Sequence, residues 1–384
     1  MVEVKNTSEH SLTEEFFVIF KLFQLIGIDV MNAGKVNEER RRKYGFLHRI
    51  SSYSKIIVFA IQSIEIFITI SWLLFSIDKL NHLIHIFLGI SLTSFYVSLC
   101  KRRRAVLHVT ERINHIYEMV PECSFRGKKY PFIAIFVIMQ ILAVAWINLR
   151  WCMITTSTSK MVNDKLKILI NTHYEHLAHF VTFLLAIEYI FYFITFTALS
   201  LFVVYYSLSC KVIRILIEHL LNELQVDCLS EKSDNLIQVY GEISKCVSVM
   251  DDEFSFSAFL TVFLSMIVMF WRIYRLTLKA TASNTYILSL TCSTISFTIL
   301  LLLILISASL TNETSSKTKN FMKNVPYRIP KGSERIKYML RKNSVQEYSL
   351  TLWKIYIIDR SLIITCFGTL LTYGMLIEAL GKQL

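Results

Sequence analysis

The chain has 384 residues, of which 54% are hydrophobic and only 18% charged, with just 10 glycines and 4 prolines. That balance sets it apart from soluble domains and points to one helical membrane domain that occupies nearly the whole length. The net charge of +12 does not call for a nucleic-acid partner, because the Lys and Arg residues flank apolar stretches and form no soluble, aromatic-interleaved patch; attraction to anionic lipid of the inner leaflet accounts for them.

The first residues are polar and acidic, and the apolar run that follows is broken by Lys21 and Gln24, so no secretory signal peptide is visible. The first true span must direct its own insertion. Within this run Phe16, Phe17, Ile19, Phe20, Phe23, Ile26 and Ile28 form a stripe too short to cross a bilayer. It reads as an amphipathic helix lying on the inner membrane face or packed on the bundle, within a cytoplasmic N-terminal segment covering residues 1–52. Glu38-Glu39-Arg40-Arg41-Arg42-Lys43 then forms a juxtamembrane cluster.

Residues 53–384 read as a seven-helix transmembrane domain. Its apolar stretches lie at about 56–77, 83–100, 130–149, 180–208, 254–271, 286–310 and 361–380, each near the ~20 residues that span a hydrocarbon core. Roughly thirty Lys and Arg residues lie in the N-terminal segment and the second, fourth and sixth connections, against roughly nine in the others. The basic side is cytoplasmic by this rule, which places the N-terminus inside and the C-terminus outside. A G-protein-coupled receptor has the same helix number and the opposite insertion. Lys101-Arg102-Arg103-Arg104 reads as a basic flank that stops transfer after the second span.

Helical spacing of Val212, Ile215, Leu216, His219, Leu220 and Leu224 carries the fourth helix beyond the membrane, and Ile237, Tyr240, Ile243, Val247 and Met250 predict a partner helix before the fifth span. Cytoplasmic helical extensions are therefore expected over about 209–253 and, ahead of the last span, 334–358.

Catalytic signatures are absent: there is no phosphate loop, GxSxG, HExxH or strand-borne GxGxxG, so the chain is not expected to be an enzyme or to need a cofactor. His173, His176 and His179 recur at helical spacing, as do His82 and His85, yet neither group has a full ligand set, and no metal site is expected. The eight cysteines show no CxxC pair; only Cys152 and Cys292 would face an oxidising compartment, and a bridge between them is one option.

Ionisable residues inside spans cost free energy and are better leads. Glu65, Glu188 and Glu378 are the acidic cases. Glu188, flanked by Tyr189 and Tyr192, sits in the outer half of its span, near Trp146, Asn148 and Trp151 of the third span and Tyr286 of the sixth. Together they would line an outward-facing pocket with aromatic walls and a few polar groups, suited to a small amphipathic ligand. An aromatic belt at the headgroup level is the other reading of the same tryptophans and tyrosines.

The last span carries Gly368, Thr372-Tyr373, then Gly374-Met375-Leu376-Ile377-Glu378 and Ala379-Leu380. Here the chain resembles the insect and wider arthropod gustatory receptors, whose final helix carries Thr-Tyr, five mostly apolar residues and Gln-Phe, with a small residue upstream. Thr372-Tyr373 matches in content and position, whereas Glu378 interrupts the apolar five, and Ala379 and Leu380 replace Gln and Phe. The resemblance covers the whole chain in architecture and only its last twenty or so residues in motif.

What the resemblance implies is a plasma-membrane receptor of chemosensory neurons acting as a cation channel gated by a small tastant. It would be a homo- or hetero-tetramer with a central pore lined by the seventh helix. Leu376 would then belong to a hydrophobic constriction, and Ala379 would stand at the polar selectivity position. Thr372, Leu376, Ala379 and Gln383 share one helical face, with Tyr373 beside it and Glu378 about one hundred degrees from Ala379, where it could form an acidic ring. A non-conducting co-receptor subunit, or a seven-helix receptor signalling through a partner, is the alternative. The sequons at Asn6 and Asn312 fall on segments expected inside, and should stay unmodified.

Overall fold

The computed structural model describes residues 15–30, 53–68, 70, 79–120, 131–166, 174–226, 233–278, 283–324 and 348–381. Helices α1 (15–25) and α2 (53–68) are followed by α3 (Lys79–Lys101), α4 (Arg103–Met119), α5 (Pro131–Leu166), α6 (Tyr174–Val226), α7 (Ser233–Leu278) and α8 (Asn284–Asn324). A two-stranded hairpin, β1 (Thr351–Leu352) and β2 (Tyr356–Ile357), then leads into α9 (Arg360–Gly381). Among the described residues, Pro131–Cys152, Thr182–Gln225, Asn235–Leu276 and Asn284–Lys323 are long and apolar enough to cross a membrane, and Ile86–Lys101 and Arg360–Leu376 are shorter apolar segments.

The centre of the fold is α6, whose residues 195–210 are all buried. A helix apolar on every side needs cover on every side; α3, α5, α7 and α8 all pack on it. Its polar positions bind the neighbouring helices. Gln140 of α5 donates to Ser200 at 2.7 Å and accepts from Thr197 at 3.0 Å, Ser207 donates to the Leu303 carbonyl of α8 at 3.2 Å, and Thr311 of α8 donates to the Cys210 carbonyl at 3.1 Å. Such bonds hold apolar helices together where lipid supplies no hydrophobic drive, each worth about 1 kcal/mol.

The N-terminal stripe packs on the bundle. Phe16, Ile19, Phe20 and Phe23 are buried, and the Phe16 and Phe20 rings meet Tyr205 of α6 at 5.9 and 6.4 Å. Helix α1 ends at Gly27 with φ +85°, where the Ile28 amide reaches back to the Phe23 carbonyl at 2.9 Å. A Cβ at Gly27 would stand 2.8 Å from the Lys55 backbone nitrogen, so this glycine serves both the left-handed cap and the close approach of α2.

Below the apolar core, α6 continues to Val226 and α7 starts at Ser233, with Leu216, Leu220 and Leu224 buried alongside Ile237, Ile243 and Val247. Helix α8 likewise runs on to Asn324, well past the span read from sequence. Arg102, at the break between α3 and α4, donates to the Asp252 carbonyl of α7 at 3.3 Å and lies 3.9 Å from Glu253, so one member of the basic flank also clamps two helices.

Ahead of α9 the fold departs from expectation. Residues 348–358 are not helical: β1 and β2 pair antiparallel, Thr351 with Ile357 and Leu352 with Tyr356. Thr351, Ile355, Tyr356, Ile357 and Ile358 make a β-branched and aromatic run that favours extended backbone. The turn puts Trp353 and Lys354 at φ 50° and 57°, a conformation that non-glycine residues adopt only when their surroundings enforce it. Here the Trp353 amide donates to the Ser255 carbonyl at 3.1 Å, its ring meets Phe256 and Phe259, and Lys354 pairs with Asp252, which raises the Lys354 pKa. The rest of the expected extension, 334–347, lies outside the described residues. Cys152 and Cys292 are both free thiols, so the bridge considered from sequence is not formed.

Candidate ligand pocket and C-terminal helix

Five helices enclose a cavity of about 480 Å³, a volume that includes its opening. Leu88 and Leu92 of α3, Trp146 and Arg150 of α5, Tyr192 of α6, Leu264, Val268, Trp271 and Arg272 of α7, and Phe297 of α8 line it. The wall is mostly apolar and aromatic, with two guanidinium groups set into it.

Local sequence explains the placement. Trp146 and Arg150 are four residues apart on α5 and share a face, while Trp271 and Arg272 close the apolar run of α7. Arg150 donates to Glu188 of α6 at 2.9 Å, with side chains only 17% and 21% exposed. Glu65 of α2 is in electrostatic reach of Arg150. The Arg150 guanidinium also lies 5.7 Å from the Tyr192 ring, and Arg272 lies 5.2 Å from the Trp146 ring, each a cation on an aromatic face. Trp146 and Tyr192 meet edge to face at 6.3 Å, and Ser289 of α8 donates to the Trp146 carbonyl at 3.4 Å.

Of the seven residues that the sequence nominates for the pocket, Trp146 and Tyr192 line the cavity. Glu188 stands behind it through Arg150. Tyr189 packs on Trp151 at 4.9 Å, Asn148 bonds its own helix at the Val144 carbonyl, and Tyr286 has a buried hydroxyl in electrostatic reach of Arg272; none of these four is part of the lining. The sequence reading looked to the third, fourth and sixth spans and missed the walls given by α3 and α7. It also passed over both arginines, which sit at span ends where a cation normally reads as an interfacial anchor. The signal was there in Trp271-Arg272 and in Trp146 with Arg150, a cation beside or one turn from a tryptophan. His173 and the side chains of His82, His85, His176 and His179 lie outside the described residues.

Helix α9 is built from Asp359 upward. The Asp359 carboxylate accepts from the Leu362 amide at 2.8 Å and from the Ser361 hydroxyl at 2.8 Å, and these bonds hold its pKa below the usual carboxylate range. Arg360 pairs with Glu313 of α8. The hairpin just before this cap is clasped from both sides: Asn312 of α8 donates to the Leu350 and Ile358 carbonyls, both at 2.9 Å, and accepts from the Leu350 amide at 2.8 Å, while Asp251 of α7 accepts from the Thr351 amide at 2.6 Å.

Beyond the cap, Cys366 and Leu370 turn toward the bundle and the Tyr373 ring meets Phe270 of α7 at 6.1 Å. The opposite face is exposed on the protomer and carries Ser361, Thr365, Gly368, Thr372, Leu376 and Ala379. The Thr365 and Thr372 hydroxyls bond the carbonyls four residues back. The Glu378 side chain and Gln383 lie outside the described residues.

Residues 16–377 match the sequence profile of the 7tm chemosensory receptor family. The chain belongs to that family. No curated protein sequence gives a significant match. Among solved structures, this family member is similar to the insect olfactory receptor OR5 from Machilis hrabei in complex with eugenol, with 13% identity and a TM-score of 0.64 over 97% of this chain and 100% of that one. A second structure of OR5 from Machilis hrabei is similar at 12% identity and a TM-score of 0.53, over 95% of this chain and 96% of that one. At such identities the likeness is one of fold, and it extends from α1 to α9.

Proposed function

We propose that this chemosensory receptor is a gustatory-type cation channel gated by a small molecule, assembled as a homo- or hetero-tetramer whose pore is lined by α9. The observation that carries this reading is the exposed face of α9. Ser361, Thr365, Gly368 and Thr372 give it small and hydroxyl groups, and Leu376 follows as the bulky apolar position. In a ring of four, the polar part would stay wetted and the Leu376 ring would dewet when closed. The exposed hydrophobic residues Leu371, Met375 and Tyr373 flank this face and suit contact with neighbouring subunits or lipid.

The ligand would enter the five-helix cavity. OR5 is described in complex with eugenol, a small amphipathic molecule, and a largely apolar cavity with aromatic walls and a few polar groups suits the chemistry of a molecule of that class. The distribution of Lys and Arg supports an N-terminus in the cytoplasm and a C-terminus outside, and on that reading the cavity lies in the outer half of the plasma membrane of a chemosensory cell. Binding favours the open state by its differential affinity for two arrangements of α9.

The test is whole-cell recording from cells expressing the chain alone. Ligand-evoked cation current that persists without intracellular GTP supports the channel; a response that requires G protein rejects it. Ala379 at the usual glutamine position favours a second reading, a subunit that conducts only beside relatives. Current restored by co-expression alone would select it.

A further inference from the structure

Every buried side-chain polar atom that the cavity-lining residues leave without a hydrogen-bond partner is a donor: Nε of Arg272 and Nε1 of Trp146 and Trp271. Arg272 is only 8% exposed, and among the described residues it forms no ion pair. The nearby Glu188 is taken by Arg150 at 2.9 Å. The groups that face Arg272 electrostatically are two further cations, Arg150 and Arg275, and the phenols of Tyr192 and Tyr286.

We infer that the ligand class of this pocket is an organic anion, a carboxylate or similar oxyanion carried on an apolar body, with Arg272 receiving its charge. The inference rests on reading the cavity as the ligand site. The Arg272 guanidinium lies 5.2 Å from the Trp146 ring, a cation–π contact that uses none of its N–H donors, and a carboxylate binds such a group through Nε and a terminal nitrogen. The Arg272 Nε has no hydrogen-bond partner. A neutral apolar ligand would leave three buried donors unpaired and a buried cation without a counter-charge, and an amine would add a positive charge beside Arg150 and Arg272. A carboxylate brings a counter-charge and acceptor oxygens together. Its apolar body would lie against Leu88, Leu92, Val268 and Phe297.

The experiment measures binding on the purified full-length receptor in lipid nanodiscs at neutral pH. The probes are hexanoate, octanoate and 3-phenylpropionate, each against its methyl ester. The native protein should prefer the carboxylates by at least about tenfold. Arg272→Gln should remove that preference while still binding the esters, and Arg272→Lys should keep part of it. If no carboxylate outbinds its ester, or if Arg272→Gln keeps the preference, the inference is overturned. Failure of Arg272→Gln to fold leaves the comparison on the native protein decisive. Esters binding as well as acids sinks this inference alone, and no binding by either class sinks the pocket reading with it. Carboxylate binding without current supports the inference and counts against the channel.

Discussion

The Arg150 guanidinium and the Glu188 carboxylate meet at 2.9 Å and join α5 to α6 at the wall of the cavity. Neither charge can leave alone at small cost, because a buried ion that loses its partner keeps its desolvation penalty. Glu188→Gln should destabilise the protein by about 3 kcal/mol, and Arg150→Gln combined with it should cost less than the sum of the two single changes. Thermal melting of the purified variants measures the cycle. Additive effects would mean that the pair is solvated and contributes no coupling.

Gly27→Ala should lower stability by about 1–3 kcal/mol, since any Cβ there meets the Lys55 backbone and the left-handed backbone is strained for alanine. Loss of surface expression and a lower Tm are the expected readouts. A Tm equal to that of the native protein would show that α1 and α2 can separate without consequence.

Much of this could be read beforehand, and the exceptions have physical reasons. The Phe16-to-Gly27 stripe, the run of α6 beyond the apolar core and the all-helical membrane architecture follow from periodicity and hydropathy, which are local signals. The hairpin does not, because residues 348–358 satisfy helical and extended patterns alike, and the choice is made by Asp251, Ser255 and Asn312 from other helices. The cavity was legible in its aromatic residues Trp146 and Tyr192. Its arginines were hidden, because only the tertiary fold distinguishes a cation aimed inward from one that snorkels to the headgroups.

Asn312→Leu should open the clasp on the hairpin. Three hydrogen bonds go, two buried carbonyls lose a donor, and the expected cost is about 2–3 kcal/mol. Limited proteolysis should cut near residue 350 faster in the variant. The same engagement predicts that Asn312 carries no glycan, so glycosidase treatment should leave the mobility of the band unchanged.

The Asp359 cap gives a pH dependence of known sign. Its folded pKa lies below the ordinary value, so the cap's contribution is complete above the unfolded pKa of about 3.8 and is lost as pH falls through the lower folded value. Asp359→Asn should flatten that acid limb in a Tm-versus-pH series, and Asp359→Ala should cost about 1 kcal/mol at neutral pH. An unchanged acid limb in Asp359→Asn would locate the titration elsewhere.

If Leu376 forms the proposed constriction, Leu376→Ser should raise current in the absence of ligand, because a hydroxyl there favours water in the pore. Unchanged leak with normal surface expression would remove Leu376 from the constriction.

The hairpin clasp also limits how α9 can travel. With the Ile358 carbonyl held by Asn312 and Arg360 paired with Glu313, the helix has a fixed foot, and displacement grows with distance from it like that of an oar in a rowlock. Leu376 lies about 24 Å along the axis from that foot, so a swing of about five degrees carries it roughly 2 Å sideways. In the proposed tetramer, four such oars would widen an aperture by more than a water molecule's radius with little movement at the rowlock.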